Sequence, residues 1–345
     1  MLLVLDKNIH LQQVNQLIER LQWMGFQVVQ DKNEAGLITL ALVNSHSATV
    51  KQSAFTDLPG VVDVQSMDKA FKLAGSDYKS TPSVIHYKGL DIGGDGVVVM
   101  SGSCSVESEQ QIMETARLVS AQGATILRGG AYKPRTSPYD FQGLGEVGLQ
   151  YLQQAAQAHN MLTVSEVMDA ADIDLVAQHI DILQVGARNM QNYSLLKQLG
   201  RVNQPVLLKR GFAATYKEFL LAAEYILSSG NPNVILCERG IRTFENFTRN
   251  TLDIGAVPVL HELSHLPVIV DPSHGIGIRR MVPAMARAAV AAGADGLIME
   301  AHPDPDNALS DAQQTISPDT LGDVMNSLEP IAQSIGRFML LKTNQ

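Results

Sequence analysis

Beyond residue 96, short and nearly uninterrupted apolar runs alternate with longer stretches in which apolar residues recur at helical spacing. The apolar runs fall near 97–101, 124–127, 161–165, 182–185, 205–208, 233–236, 267–270 and 296–299. The helical stretches cover 108–121, 144–158, 170–178, 191–198, 215–228, 245–253 and 279–291, with a last one at about 318–340. A strand that is apolar on both sides belongs to a sheet covered on both faces, as parallel sheets with crossover helices are. Eight such strand–helix units predict an α/β fold, a (β/α)8 TIM barrel over residues 84–345. A doubly wound open sheet is the alternative, but no glycine fingerprint for a dinucleotide accompanies it. Just ahead of the first unit, Val84–Lys88 and Val97–Met100 flank GLDIGGDG and suggest a hairpin.

Residues 1–65 follow a different rhythm. LLVLD reads as a strand, and apolar residues at 11, 14, 17, 18 and 21 make a helical stripe. FQVVQ (26–30) and LITLALV (37–43) are strands around a turn-like DKNEAG, followed by a weaker helix at 48–58 and a strand at 61–64. The order β-α-β-β-α-β predicts a small ferredoxin-like or ACT-like domain over residues 1–65. Residues 66–83, rich in Lys, Ser, Asp and Gly, are expected to be a linker. No cluster of catalytic residue types falls within residues 1–65, so a regulatory role is expected there.

Composition narrows the class. A length of 345 residues suits one barrel of roughly 250 residues plus an appendage. With 45% hydrophobic and 18% charged residues the chain reads as an ordinary soluble globular protein. No apolar run reaches the ~20 residues of a membrane helix, and residues 1–6 are too short for a signal peptide. Cys104 and Cys237 lie far apart, which fits a reducing compartment better than a disulfide framework, so a cytoplasmic location is expected. A net charge of −9 argues against nucleic-acid binding, so basic residues gathered in one place signal local anion binding.

Such a gathering occurs in LRGGAYKPRTSP (127–138), where Arg128, Lys133 and Arg135 lie in a glycine- and proline-punctuated loop between a strand and a helix. Guanidinium forks match carboxylate and phosphate oxygens, and glycines let the backbone approach a ligand. In a barrel the active residues come from the C-terminal ends of the strands. Just past the eight predicted strands lie Cys104, Arg128, Glu166, Arg188, Lys209, Arg239, His274 and Glu300, with Asp311 in the last loop. Cys104, His274, Glu300 and Asp311 offer a thiolate, an imidazole and two carboxylates, a mixture that suits a divalent transition metal. Read singly, each has a purely structural alternative: a buried thiol, a capping Asp, a surface Glu. Arg128, Lys133, Arg135, Arg188, Lys209 and Arg239 on one rim of an acidic protein imply a multiply anionic substrate, or two of them. Salt-bridging them away would need buried carboxylates, of which Glu166 and Glu238 supply only part.

These residues stand in motifs that resemble the 3-deoxy-D-arabino-heptulosonate 7-phosphate (DAHP) synthase family. They are CSVES (104–108), KPRTSP (133–138), FQGLG (141–145), VGARNMQN (185–192), LLKRG (207–211), CERGIRTFE (237–245), DPSHGIG (271–277) and ALSD (308–311). The branch is type I beta, whose barrel carries a small N-terminal ferredoxin-like regulatory domain. The resemblance implies condensation of phosphoenolpyruvate with D-erythrose 4-phosphate and water, releasing phosphate, as the first step of the shikimate pathway. It implies a divalent ion (Mn2+, Fe2+, Co2+ or Zn2+) on Cys104, His274, Glu300 and Asp311. Arg128, Lys133, Arg188, Lys209 and Arg239 would surround phosphoenolpyruvate, and Pro134, Arg135 and Thr136 would face the aldose phosphate. Lys133 is further expected to protonate the forming alkoxide and Glu166 to position water. Partners implied are a homo-oligomer, dimer or tetramer, and a feedback ligand, tyrosine or phenylalanine, with neither nucleic acid nor membrane.

One departure is visible: the family usually has proline before the metal cysteine, and here Ser103 gives GSCS, which is expected to loosen that loop. The sister family, which makes 3-deoxy-D-manno-octulosonate 8-phosphate from arabinose 5-phosphate, reads KANRS where this chain reads KPRTS (133–137). A non-catalytic anion-binding barrel has only Ser103 in its favour. A fused chorismate mutase would be helical, whereas residues 1–65 are β-rich.

Overall fold

The computed structural model describes residues 1–32, 36–43, 50–133, 137 and 139–341, which form two units, Met1–Ser80 and Thr81–Gln345. In the first, β1 (Leu2–Leu5), α1 (Leu11–Trp23), β2 (Gln27–Lys32), β3 (Ile38–Val43), α2 (Ser53–Thr56) and β4 (Val61–Gln65) follow one another. The four strands make one sheet in the order β2-β3-β1-β4, each neighbouring pair antiparallel. α1 buries Val14, Leu17 and Leu21, the i, i+3, i+4 stripe that the sequence marks. They join Leu3, Leu5, Leu40 and Phe55 in one core, where Phe26 meets Phe55 edge to face with ring centroids 5.5 Å apart. The helix expected at 48–58 is a single turn over Ser53–Thr56, with 44–49 outside the described residues. The polar-looking segment from residue 66 buries Met67, Phe71, Leu73 and Ala74, and the boundary between units falls at Ser80.

In the second unit a hairpin of β5 (Ile85–Tyr87) and β6 (Leu90–Ile92) precedes the first barrel strand. The sequence suggested Val97–Met100 as the hairpin partner. The turn comes earlier because Lys88 (φ 47°) and Gly89 (φ 82°) both take the left-handed conformation that a two-residue hairpin turn requires. The barrel strands are β7 (Gly96–Gly102), β8 (Ile126–Arg128), β9 (Leu162–Glu166), β10 (Ile182–Val185), β11 (Val206–Lys209), β12 (Val234–Glu238), β13 (Val268–Val270) and β14 (Gly296–Glu300). They pair in parallel in sequence order, and β14 returns to β7 with Glu300 opposite Gly102, closing the cylinder. Inward side chains such as Met100, Ile126, Val164, Ile182, Leu207, Ile235 and Ile298 fill it, joined by Ile85 and Ile92 of the hairpin.

The covering helices are α3 (Glu109–Ala121), α4 (Glu146–Ala158), α5 (Ile173–His179), α6 (Tyr193–Leu199), α7 (Tyr216–Ser228), α8 (Ala256–Leu263), α10 (Val282–Ala291) and α11 (Pro318–Ser334), with a short α9 (Pro272–Ile276) after β13. Residues 245–253, expected to be helical, form an irregular loop. There the Glu245 carboxylate accepts the Asn246 and Phe247 amides and Thr251 pairs with Ile241. Local side-chain acceptors of this kind compete with the helix for backbone donors. α11 stops at Ser334 rather than 340, because Gly336 (φ 76°) turns the chain back and β15 (Phe338–Met339) runs beside the start of β7.

Arg337 locks that return. Its guanidinium donates to the carbonyls of Gly94 (2.6 Å), Gly293 (2.8 Å) and Ala294 (3.1 Å) and pairs with Asp295 at 2.9 Å. All of these lie at the N-terminal end of the barrel, away from the predicted functional residues. Arg337→Ala leaves several buried acceptors unpaired and is expected to cost about 3 kcal/mol, read as a fall in the urea midpoint.

Candidate active site and metal centre

Each barrel strand delivers one predicted residue at its C-terminal end, the mouth of the barrel. Arg128, Glu166, Lys209 and Glu300 are the last residues of their strands, Cys104 and Arg239 follow β7 and β12, Arg188 sits in the turn after β10, and His274 lies in α9. Arg128, Lys133, Glu166, Arg188, Lys209, Arg239, His274 and Asp311 line one cavity of about 250 Å³. Cys104 and Glu300 lie beneath it, 3% and 1% exposed. Pro134, Arg135 and Thr136 lie outside the described residues.

The four predicted ligands converge although they are far apart in sequence. One donor atom from each of Cys104, His274, Glu300 and Asp311 lies within 4.8 Å of the other three. The Cys104 thiol is 3.3 Å from Asp311 Oδ2, and His274 Nε2 is 3.3 Å from Glu300 Oε1 and 3.7 Å from Asp311 Oδ2. A buried carboxylate orients the imidazole: Asp271 Oδ2 is 2.8 Å from His274 Nδ1, and its Oδ1 accepts the His274 amide at 2.9 Å. Nε2 is thereby turned to the cluster, the arrangement of a metal-bound histidine. Burial pushes His274 below its ordinary pKa, favouring the neutral, ligating form. Burial would raise the Glu300 and Asp311 carboxyls, but their neighbours outweigh it and hold both below the usual range, the more so if the imidazole takes up a proton: His274 and Arg128 for Glu300, His274 and Arg249 for Asp311. Burial, with the Glu300 charge, pushes the Cys104 thiol up to about 12. A cation is what such a set lacks: a thiol that ionises only against positive charge, beside two carboxylates that are already charged. The residues therefore fit a divalent metal.

The cations divide into two groups. Arg128 pairs with Glu300 at 2.7 Å and Lys209 with Asp271 at 2.5 Å, all four buried. The expectation that buried acids could account for few of the rim cations is thus corrected: Glu300 and Asp271 each serve one. Glu238 does not contribute, being taken by Arg210 at 2.8 Å. Arg188 and Arg239, by contrast, have no carboxylate partner among the described residues. Their guanidiniums stack over the Phe212 ring, at 5.8 and 4.7 Å from its centroid, with Arg242 at 5.0 Å. Arg239 is 3% exposed and its Nη1 has no hydrogen-bond partner among the described residues. A buried guanidinium donor of this kind is suited to donate to a carboxylate or phosphate oxygen.

Lys133 reaches down rather than across: its Nζ donates to the Cys104 carbonyl at 2.9 Å and meets Sγ at 3.0 Å. Glu166 lines the cavity beside Gln184, whose amide is 3.4 Å from its Oε2. Gly186 makes room for it, since a Cβ there would sit 2.0 Å from Glu166 Oε1. Ser103 is fully buried with its hydroxyl unpartnered among the described residues, in a loop held to the segment after β8 by the Ser105–Gly130 bridge. Sequence reasoning missed Asp271, Phe212, Arg249 and Gln314. Only Asp271 left a signal, as the helix-capping Asp of DPSHG three residues before the histidine.

Comparison with known proteins identifies the family. The DAHP synthetase I family model matches residues 77–334. Phospho-2-dehydro-3-deoxyheptonate aldolase of Thermotoga maritima is 49% identical over 282 residues, 82% of this chain and 83% of that protein. The crystal structure of a Thermotoga maritima protein of that name superposes over 98% of both chains with a TM-score of 0.78 at 42% identity. A 2-dehydro-3-deoxyphosphooctonate aldolase of Hydrogenovibrio crunogenus is more distant, 33% identical over 65% of this chain and 86% of its own. The chain belongs to the DAHP synthetase I family.

Cys104→Ala is expected to lower bound divalent metal to well under one equivalent by elemental analysis. Its thermal unfolding midpoint without metal should stay near the parent's, because a thiol at the barrel mouth adds little to the core. Equal metal content in parent and variant would remove Cys104 from the ligand set.

Proposed function

We propose that this DAHP synthase joins phosphoenolpyruvate to D-erythrose 4-phosphate at the barrel mouth, with water adding and phosphate leaving. The observation that carries the reading is one cavity lined by His274 and Asp311 of the Cys104–His274–Glu300–Asp311 cluster together with Arg188 and Arg239, cations without carboxylate partners among the described residues. A divalent ion held by those four side chains, Mn2+, Fe2+, Co2+ or Zn2+, supplies Lewis acidity to an aldehyde oxygen when bound. Arg128, Lys133, Arg188, Lys209 and Arg239 hold the carboxylate and phosphate of phosphoenolpyruvate and fix its C3 against C1 of the aldose. Arg135 and Thr136, after Pro134, take the aldose phosphate. C3 attacks C1, Lys133 gives a proton to the forming alkoxide, and Glu166 orients the water that adds at C2. Phosphate then leaves the tetrahedral C2. The 49% identity to the heptonate enzyme against 33% to an octonate enzyme supports erythrose 4-phosphate over arabinose 5-phosphate.

The first unit is a ferredoxin-like regulatory domain, on the support of its β-α-β-β-α-β order and fully antiparallel sheet. It binds tyrosine or phenylalanine and pairs with another subunit's copy in a homodimer or homotetramer. Exposed Leu11 and Trp23 on α1 support such pairing. Coupling of ~1–3 kcal/mol would change substrate affinity about 5- to 150-fold. No described helix is long and apolar enough to cross a membrane, and a cytoplasmic location accords with the unpaired cysteines.

The testing experiment follows phosphoenolpyruvate loss with each aldose phosphate, with and without a strong chelator. Erythrose 4-phosphate should give the higher kcat/KM, and activity should vanish with chelator and return with Mn2+, Co2+ or Fe2+. Arg188→Ala should impair use of phosphoenolpyruvate and Arg135→Ala use of the aldose. Each loss is expected at ~2–5 kcal/mol, or about 30- to 4000-fold. Parent-like kinetics for both variants would refute these anion assignments.

Removing residues 1–80, at the boundary between the units, should leave an active enzyme that ignores tyrosine and phenylalanine. A full-length enzyme indifferent to millimolar amounts of both would reduce the first unit to a passive stability or assembly module.

A further inference from the structure

Two side chains outside the ligand set hold both ligand carboxylates from behind. Gln314, in the loop before α11, is 2% exposed. Its Nε2 donates to Glu300 Oε2 at 2.5 Å, and its Oε1 accepts from Arg249 Nη1 at 2.7 Å. Arg249 Nη1 also donates to Asp311 Oδ1 at 3.1 Å, and the Arg249 amide bonds the Ile276 carbonyl at the end of α9. The amide orientation is dictated by its neighbours: arginine has only donors and a carboxylate only acceptors, so the carbonyl must face Arg249 and the NH2 must face Glu300.

The oxygens are thereby sorted. On Glu300, Oε2 faces Gln314, while Oε1 lies 3.3 Å from His274 Nε2, with Arg128 also touching it at 2.7 Å. On Asp311, Oδ1 faces Arg249, while Oδ2 lies 3.3 Å from the Cys104 thiol and 3.7 Å from His274 Nε2. Each carboxylate turns one oxygen to the cluster and has the other occupied by the same Arg249–Gln314 pair.

We propose that Gln314, braced by Arg249, is a positioning residue that restricts Glu300 and Asp311 to one ligand oxygen each. Released, either carboxylate would be free to swing its second oxygen onto the ion. The restriction keeps the protein's contribution to four single-atom ligands and leaves the ion room for a substrate oxygen. The inference rests on the reading of Cys104, His274, Glu300 and Asp311 as metal ligands. The side chain of Gln314 bonds Glu300 alone of the ligand set, its contact with Asp311 being a backbone one (amide to the Asp311 carbonyl, 3.1 Å), so the side chain acts through the Glu300 carboxylate.

The experiment uses the full chain and two readouts, neither of them turnover. Dissociation constants for Mn2+ and Co2+ are measured by competition with a chromophoric chelator, and the visible d–d absorption of the Co2+ form is recorded, which weakens as coordination number rises. Gln314→Leu keeps the volume and removes both hydrogen bonds. It is expected to weaken metal binding ~10- to 100-fold and to lower the Co2+ absorption per ion. Gln314→Asn keeps the amide but is one methylene too short, and should behave like Gln314→Leu. If Gln314→Leu does not accumulate folded, Arg249→Leu opens the same clamp from its half-exposed side, with the same two changes expected. A folded variant with parent-like affinity overturns the proposal. Weakened affinity with an unchanged Co2+ spectrum overturns the one-oxygen assignment. A parent that binds neither ion fails at the earlier step, the metal reading itself.

Discussion

The closure of the barrel between β14 and β7 is the constraint on which the site depends. Cys104 and Asp311 are separated by 207 positions and meet because Glu300 pairs opposite Gly102. That register puts the Glu300 carboxylate at the top of the last strand and the Cys104 thiol two residues past the top of the first. The seam is crowded: a Cβ on residue 102, where φ is 154°, would sit 2.1 Å from the Arg128 carbonyl. Glycine at 102 lets β8 come close enough for the Arg128 guanidinium to reach Glu300. Shifting β14 by one residue would turn Glu300 to the opposite face and dissolve the cluster, since side chains alternate along a strand.

Closure also takes charge out of water, and that sets the electrostatics. Asp271 is 1% exposed and Glu300 likewise, so each ionised carboxylate would carry a desolvation penalty of several kcal/mol if it stood alone. Each has instead a cation and the imidazole beside it: Lys209 and His274 for Asp271, Arg128 and His274 for Glu300. Arg188 and Arg239 rest on the π face of Phe212, which draws guanidiniums without neutralising them. Burial pulls the Arg239 pKa down, the direction expected of a desolvated cation with no acid among the described residues bound to it. The mouth thus contains cations fixed by protein acids, which shape the site, and cations that no acid among the described residues neutralises.

How much of this was legible in the sequence depends on which force placed each residue. The barrel strands were readable because a strand covered on both faces must be apolar throughout, and Cys104, Arg128, His274 and Glu300 could then be found by reading just past each one. Helix boundaries held to within a few residues wherever apolar spacing decided them. They failed at 48–58, which is a single turn over Ser53–Thr56, at 245–253, where Glu245 captures backbone amides and the helix forms later at Ala256–Leu263, and after Ser334, where Gly336 reverses the chain. Pairing of acids with cations was unreadable, because Lys209 and Asp271 lie 62 positions apart and neither residue type announces its partner. Arg249 and Gln314 were invisible for the same reason: both stand on irregular loops, outside any periodic pattern.

Loops and strands therefore divide the work along the barrel axis. At the N-terminal end, Arg337 and the β5–β6 hairpin close the cylinder with backbone carbonyls and apolar side chains, contacts that many chemistries at the other end could share. At the mouth, the strands present the clustered acids and the cations, while loops supply Phe212, Arg249 and Gln314. Relatives with different sugar names, at 49% and 33% identity, are what such a division allows. Ser103 shows how narrow the tolerance is. Its buried hydroxyl, unpartnered among the described residues, carries a penalty of ~1–3 kcal/mol. It is borne one residue from Cys104, in a loop that the segment after β8 also holds through the Ser105–Gly130 bridge. That second anchor keeps the thiol within reach of Asp311 without the rigidity of a proline, so the loop's placement derives from the barrel more than from its own backbone.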